Sequence, residues 1–155
     1  KVYIEYLEFL ARKRFVGENS LLGQVFETNV RIGDNVVKFV DVFAQNSCSE
    51  NTSLYPDGRF TSYDALHDGL AEVMKSIVIP LWEKKKRPLN IWMPAKIGCV
   101  KGGGNLAIVT AIIKSVFDLT LYEDVFSLKL FEKPLSSGED VNGDECLRKP
   151  LLNDN

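Results

Sequence analysis

Apolar positions recur along this chain with two periods, and the switches between them mark out its elements. Leu106, Val109, Ile112, Ile113, Val116 and Phe117 follow three- and four-residue steps, which predicts a helix with one wide apolar face. Asn105 stands where an N-cap belongs. Tyr63, Leu66, Leu70, Val73, Met74 and Ile77 predict a second helix, opened by Thr61 and Asp64 in a capping-box pattern. A third, amphipathic helix reads from Val2 to Arg14, with Val2, Tyr3, Tyr6, Leu7 and Leu10 on one side. Gly17-Glu18-Asn19-Ser20 breaks it. Strands are predicted over Leu22–Arg31 and Val36–Ala44, joined at Gly33-Asp34-Asn35. The second of these is rich in Val and Phe, which suits the centre of a sheet. Leu89 to Pro94 reads as a buried strand. Val125 to Phe131 alternates Val125, Ser127 and Lys129 against Phe126, Leu128 and Leu130, the pattern of a half-buried or edge strand.

The order α-β-β-α-β-α-β predicts an α/β protein, a three-layer α/β/α sandwich around a mixed sheet. Residues 1–133 form the expected domain. Residues 134–155, poor in apolar side chains, read as a flexible tail. The polar loop from Gln45 to Arg59 is long for a connection at a strand end, which marks it for function. The chain opens at Lys1 directly in helical sequence, without a methionine, which reads as a fragment or a processed chain.

Size and composition narrow this only slightly. The 155 residues suit one domain that buries about 70% of its unfolded surface. A formal net charge of −2 carries no global basic excess, so nothing argues for nucleic acid. Lys84-Lys85-Lys86-Arg87 reads as a solvated helix end, where cations suit the dipole. No apolar run is long enough to span a bilayer and no signal peptide is visible, so a membrane is not expected. Cys48, Cys99 and Cys146 are odd in number and widely spaced. They fit neither a disulfide framework nor a zinc site and suit a reducing, cytoplasmic compartment. Asn51-Thr52-Ser53 matches a glycosylation sequon that a cytoplasmic chain would not use.

The candidate chemistry lies after Pro94. Ile97-Gly98-Cys99-Val100-Lys101-Gly102-Gly103-Gly104 is a glycine-rich loop between a strand and a helix. Such a loop lets a ligand approach the backbone, and the helix behind it presents unpaired N–H groups and a positive dipole end. Lys101 would add a point charge. The spacing is neither a Walker loop nor GxGxxG. It equally suits a turn that lets strand and helix pack closely. Gln45 and Asn46, at a strand's carboxyl end, are placed to hydrogen-bond a base or ribose. Cys99, near the helix start, is placed where a thiolate would be stabilised, with a structural role favoured. His67 reads as a surface or half-buried structural residue, and Asp64 and Asp68 as structural carboxylates. Phe60 and Tyr63 flank the long loop and could stack on an adenine, with core packing favoured for Tyr63.

These residues resemble a known family. Ile91-Trp92-Met93-Pro94 through Ile97-Gly98-Cys99 and Gly102-Gly103-Gly104 is similar to the proline-to-IGCG-to-glycine segment of macro domains. Within that family it resembles the small members that process ADP-ribose-1''-phosphate or remove ADP-ribose. Phe43-Ala44-Gln45 resembles their FxQ, and Thr61-Ser62-Tyr63-Asp64-Ala65-Leu66 their T-x-Y-x-A-L helix start. Lys1 to Tyr6 and Leu21 to Val25 resemble the helix and strand after the family's first glycine loop. The likeness therefore runs from residue 1 to about residue 131. It implies an ADP-ribose-type ligand held by Gly98, Cys99, Val100, Lys101, Gly102, Gly103, Gly104, Asn105 and Gln45, with no metal and no cofactor. It implies either hydrolysis of a distal phosphate or an ADP-ribosyl bond, or a non-catalytic reader or scaffold with a degenerate site. An ADP-ribosylated protein is a second partner that the likeness allows.

Two departures bear on activity. The family's first strand and ligand loop have no counterpart here, which reads as a segment outside this stretch, one supplied by another chain that completes the sheet, or one that is lost. Val100 stands where the family has a glycine, and a β-branched residue accepts positive φ poorly. Some relatives carry a catalytic Asp where this chain has Gly102, and no carboxylate lies between Lys96 and Asn105. No catalytic residue is assigned.

Overall fold

The computed structural model describes residues 2–15, 21–45 and 56–132. The break at 17–20, most of the long loop, the sequon, Cys48, Cys146 and the tail from 134 lie outside the described residues.

Helix α1 spans Val2–Phe15 and the antiparallel strands β1 (Val25–Ile32) and β2 (Asn35–Val42) follow. The two strands pair from Val25↔Val42 to Ile32↔Asn35, so Gly33-Asp34 is a two-residue hairpin turn. Alternation sends Phe26 and Phe43 to one face of the hairpin and Val25, Val40 and Val42 to the other. Helix α1 covers the first face: Tyr6 and Phe9 stack on Phe43 and meet Phe26 with centroids 5.2–6.1 Å apart. Glu5 accepts a hydrogen bond from the Thr28 hydroxyl on that face. Phe9, not Leu7, thus anchors the helix, and Leu7 faces solvent.

Helix α2 (Tyr63–Val73) covers the hairpin's other face, and at Gly69 the two come so close that a β-carbon would stand 2.4 Å from Val42 Cγ1. A π turn over Met74–Val78 joins α2 to α3 (Ile79–Lys85) without a break, and the Ile79 amide donates five residues back to Met74. Pro80 supplies the reason. Its ring crowds the carbonyl four residues back and it has no N–H to offer, so the turn before it widens. Helix α2 is capped by Ser62, whose hydroxyl accepts from the Ala65 amide at 3.2 Å. The cap thus stands one residue after the expected Thr61, and Ala65 opposite it has no side chain to close a capping box. Lys84 to Arg87 are exposed at the end of α3, as a solvated helix end requires.

Strands β3 (Leu89–Pro94) and β4 (Phe126–Phe131) are parallel, in register from Leu89↔Phe126 to Pro94↔Phe131, with α4 (Leu106–Val116) crossing between them. Leu89, Ile91, Met93, Phe126, Leu128 and Leu130 pack against the core formed by α2 and α4, centred on Leu66, Leu70, Val109, Ile113 and Phe117. Phe117 meets Phe126 edge to face at 5.6 Å. Burying side chains such as Leu66 and Leu70 stabilises the fold by about 1.5–3 kcal/mol each. The outer face of this pair is open. Trp92 is 64% exposed, with the Lys129 ammonium 5.1 Å from its ring centroid. Leu89 to Pro94 is thus a half-buried strand, where the unbroken apolar run predicted a buried one.

The protein is mixed α/β. Among the described residues, however, its strands form two separate two-stranded sheets, where one mixed sheet was expected. Strand β2 has β1 on one edge and β3 has β4, and β2 and β3 do not pair with each other. The central position expected of β2 does not hold for this reason, and Val36, Val37 and Phe39 are exposed. Beyond the shared helical layer, the two sheets are joined at one end by a bridge between Gln45 and Thr61.

Candidate functional site

That bridge builds the site. The chain leaves β2 through Phe43 and Ala44; the Ser62 amide donates to the Ala44 carbonyl at 2.8 Å. Thr61, beside it, is wholly buried. Its hydroxyl, released from capping by Ser62, donates to the Gly98 carbonyl at 2.7 Å, and its amide donates to the Gly102 carbonyl at 3.1 Å. The Phe60 amide shares the Gly102 carbonyl at 2.9 Å. The carboxyl ends of β2 and β3 are thereby tied together through one side chain and three amides.

The glycine loop is shaped by this tether. Gly98 and Gly103 hold φ of 73° and 64°, which glycine takes without steric cost. Val100 takes no positive φ and stands 76% exposed, so the departure at that position carries no backbone strain. Gly102 is buried. A β-carbon there would stand 2.1 Å from Thr61 Oγ1, 2.3 Å from Gln45 Nε2 and 2.5 Å from the Gly98 carbonyl oxygen. Gly104, whose amide donates to the Gly98 carbonyl at 3.0 Å, has a similar neighbour at 2.8 Å. Close packing thus accounts for Gly102 and Gly104. Gln45 is exposed beside the loop, its side-chain amide 3.5 Å from Thr61 Oγ1.

Asn105 opens α4 as expected, accepting from the Ala107 and Ile108 amides at 2.9 and 3.4 Å. Those two donors are therefore engaged by the cap. Among the described residues nothing accepts from the amides of Val100, Lys101, Gly102 or Gly103, a series of consecutive donors of the kind that binds anions. Lys101 is exposed beside them. The Asn105 amide donates to the Tyr63 hydroxyl at 2.8 Å, and the Arg59 guanidinium carbon lies 4.3 Å from the Tyr63 ring centroid. Arg59 also donates to the Thr61 carbonyl and pairs with Asp57 at 2.9 Å.

Cys99 is half-buried, with Sγ 3.5 Å from the Ile97 carbonyl oxygen. Burial pushes its thiol up, and the nearby Lys96 charge offsets part of that. The thiolate expected at the helix start is therefore disfavoured, because the sulfur is desolvated. His67 and Asp68 form an exposed pair at 3.1 Å on the surface of α2. Among the described residues no group of three His, Cys, Asp or Glu side chains could hold a metal, and no helix is long and apolar enough to cross a membrane. A hollow of about 500 Å³ lies elsewhere, between α1, β1 and the π turn, lined by Phe9, Gln24, Glu27, Glu72 and Ser76 among others.

The structure brings Gln45 next to the 98–105 loop, two parts of the chain that the sequence reading grouped. It missed Arg59 and Thr61. The adjacent Thr61-Ser62 pair held the signal: only one hydroxyl can cap the helix, so the other is available for a second task. No protein-family model matches this chain, and no curated protein or solved structure matches it.

Proposed function

We propose that this chain is a macro-type domain that binds ADP-ribose or a close relative at the loop from Gly98 to Asn105. The observation that carries this reading is the run of amides from Val100 to Gly103 that no described residue engages, fixed by Thr61 beyond the carboxyl end of β3. Ligands of open α/β sheets favour that position, and a pyrophosphate matches consecutive amides without needing particular side chains. Gln45, at the end of β2, is positioned for the ribose or base. In this reading the sandwich is three-layered. The hairpin already lies between α1 and α2, and a strand from another segment or chain enters between the edges of β2 and β3 that no described strand pairs. An ADP-ribosylated protein is a ligand of the same class.

Binding is favoured over hydrolysis, because no carboxylate stands in the loop where relatives place a catalytic one. The competing reading is a scaffold with a degenerate site, and the packing that accounts for Gly102 and Gly104 favours it. Calorimetric titration with ADP-ribose separates the two. Saturable binding that falls about tenfold or more in Lys101→Glu, an exposed charge reversal beside the amides, is the expected result. Absence of binding by the unaltered chain overturns the proposal.

A further inference from the structure

Parallel strands are ordinarily covered on both faces, yet every side chain on the outer face of β3 and β4 is exposed. The register sets its rows: Asn90 beside Ser127, Trp92 beside Lys129, and Pro94 beside Phe131. Trp92 and Phe131 are therefore two exposed rings set diagonally on neighbouring strands. The Lys129 ammonium stands over the first ring, and the Ser127 hydroxyl donates to Asn90 Oδ1 at 2.8 Å.

Four consecutive cations, Lys84 to Arg87, lead into this face. Pro88 alone separates them from β3. The Trp82 indole N–H, just before the run, donates to the Asp124 carbonyl at 3.0 Å, two residues before β4. The run is thus held at the amino ends of both strands. All four cations are exposed, and among the described residues neither they nor Lys129 pair with a carboxylate.

We propose that this outer face binds single-stranded nucleic acid, with bases stacked on Trp92 and Phe131 and phosphates met by Lys129 and the Lys84–Arg87 run. Any base presents a flat π surface to an exposed ring, and the sugar-phosphate backbone supplies the charge that the cations lack. Asn90 and Ser127 offer polar groups to base edges. A covering helix suits the face less, because it would take the Lys129 ammonium and the Asn90–Ser127 pair out of water without new partners. The net charge of −2 belongs to the whole chain; Glu123, Asp124 and Glu132 border the face and no carboxylate stands on it. The face is distinct from the glycine loop, which lies beyond the carboxyl end of β3.

Fluorescence anisotropy of labelled oligoadenylate of about eight nucleotides, as RNA and as DNA, tests this on the full chain. Binding is expected for one or both sugars, weakening as salt rises. Trp92→Ala, at an exposed position, is expected to lose about tenfold in affinity and Trp92→Phe to recover part of that loss. Lys86→Gln with Arg87→Gln is expected to flatten the salt slope by about 1.4, from two phosphate contacts. Heparin, an anion without bases, should bind Trp92→Ala and the native sequence alike. Absence of oligonucleotide binding overturns the inference, as does wild-type binding in Trp92→Ala, an unchanged slope in the double variant, or an equal loss for heparin. Displacement by ADP-ribose that Lys101→Glu abolishes would place the oligonucleotide at the glycine loop and overturns it too. Self-association lost in Trp92→Ala, without oligonucleotide binding, would assign the face to a second copy instead.

Discussion

A methyl group on residue 102 would collide with a hydroxyl, an amide and a carbonyl at once, and two of those three belong to other segments of the chain. The neighbours are held by their own hydrogen bonds, so the site relaxes poorly. Gly102→Ala is expected to destabilise the protein by about 1–3 kcal/mol in chemical denaturation, the range for overpacking. Gly103→Ala meets only ordinary contacts but keeps a positive φ, so its cost is about 1–2 kcal/mol and arises from the backbone alone. Removing the Gln45 side-chain amide by Gln45→Ala is expected to relieve part of the first variant's cost and leave the second unchanged. Cys99 gives a second residue-scale expectation. Its desolvated thiol stays protonated above the ordinary range, so the folded chain holds a proton that the unfolded chain releases first. Stability contributed here is present below the unfolded thiol pKa and falls as pH rises above it. With Cys48 and Cys146 changed to Ser, iodoacetamide at pH 8 should alkylate Cys99 more slowly than a free thiol. Lys96→Ala should slow it further, and faster reaction in that variant would refute the assigned cause. The loop's composition disclosed the glycines but not the reason for each, since that depends on Thr61, 41 positions before Gly102 in the sequence.

Helix ends were the most legible elements, because a cap is a local bargain between one side chain and the next few amides. Asn105 was found from sequence, and Asn105→Ala should destabilise α4 by about 1 kcal/mol. Asn105→Asp keeps the acceptor and sets a negative charge near the amides of the loop. It should preserve stability while weakening pyrophosphate binding, so calorimetry and denaturation move apart; parallel changes would show that the loop amides take no part in anion binding. The cap of α2 was misplaced by one residue, since Thr61 and Ser62 are equivalent until Gly98 claims one of them. The π turn was invisible in the apolar spacing, which continues through Met74 and Ile77, although Pro80 announced a disturbance near by. Strand existence was legible and strand environment was not. Whether Phe39 or Trp92 meets protein or water is decided by which strands pair, and pairing is not encoded within five or six residues.

At the scale of the whole molecule, the mixed α/β composition followed from the order of elements, whereas the division into two small sheets did not. Each pair is a minimal sheet and owes its stability to the helices, above all to α2, which touches the hairpin at Gly69 and the core of the parallel pair at Leu66 and Leu70. Both tryptophans, Trp82 and Trp92, lie on the β3 side of the molecule, whereas the hairpin has none. Intrinsic fluorescence during urea unfolding therefore reports one half, and an absorbing label on a cysteine placed at Asp34 reports the other. The two curves should coincide in the native sequence. Thr61 is held to Gln45 on the hairpin side and to Gly98 and Gly102 on the other, so it transmits force as well as holding position. Thr61→Gly should separate the curves, with the hairpin melting first, and two separate curves in the unaltered chain would show that the halves never unfolded as one. On that outcome a single hydroxyl-bearing side chain, added to the coupling through α2, makes the difference between one cooperative folding unit and two.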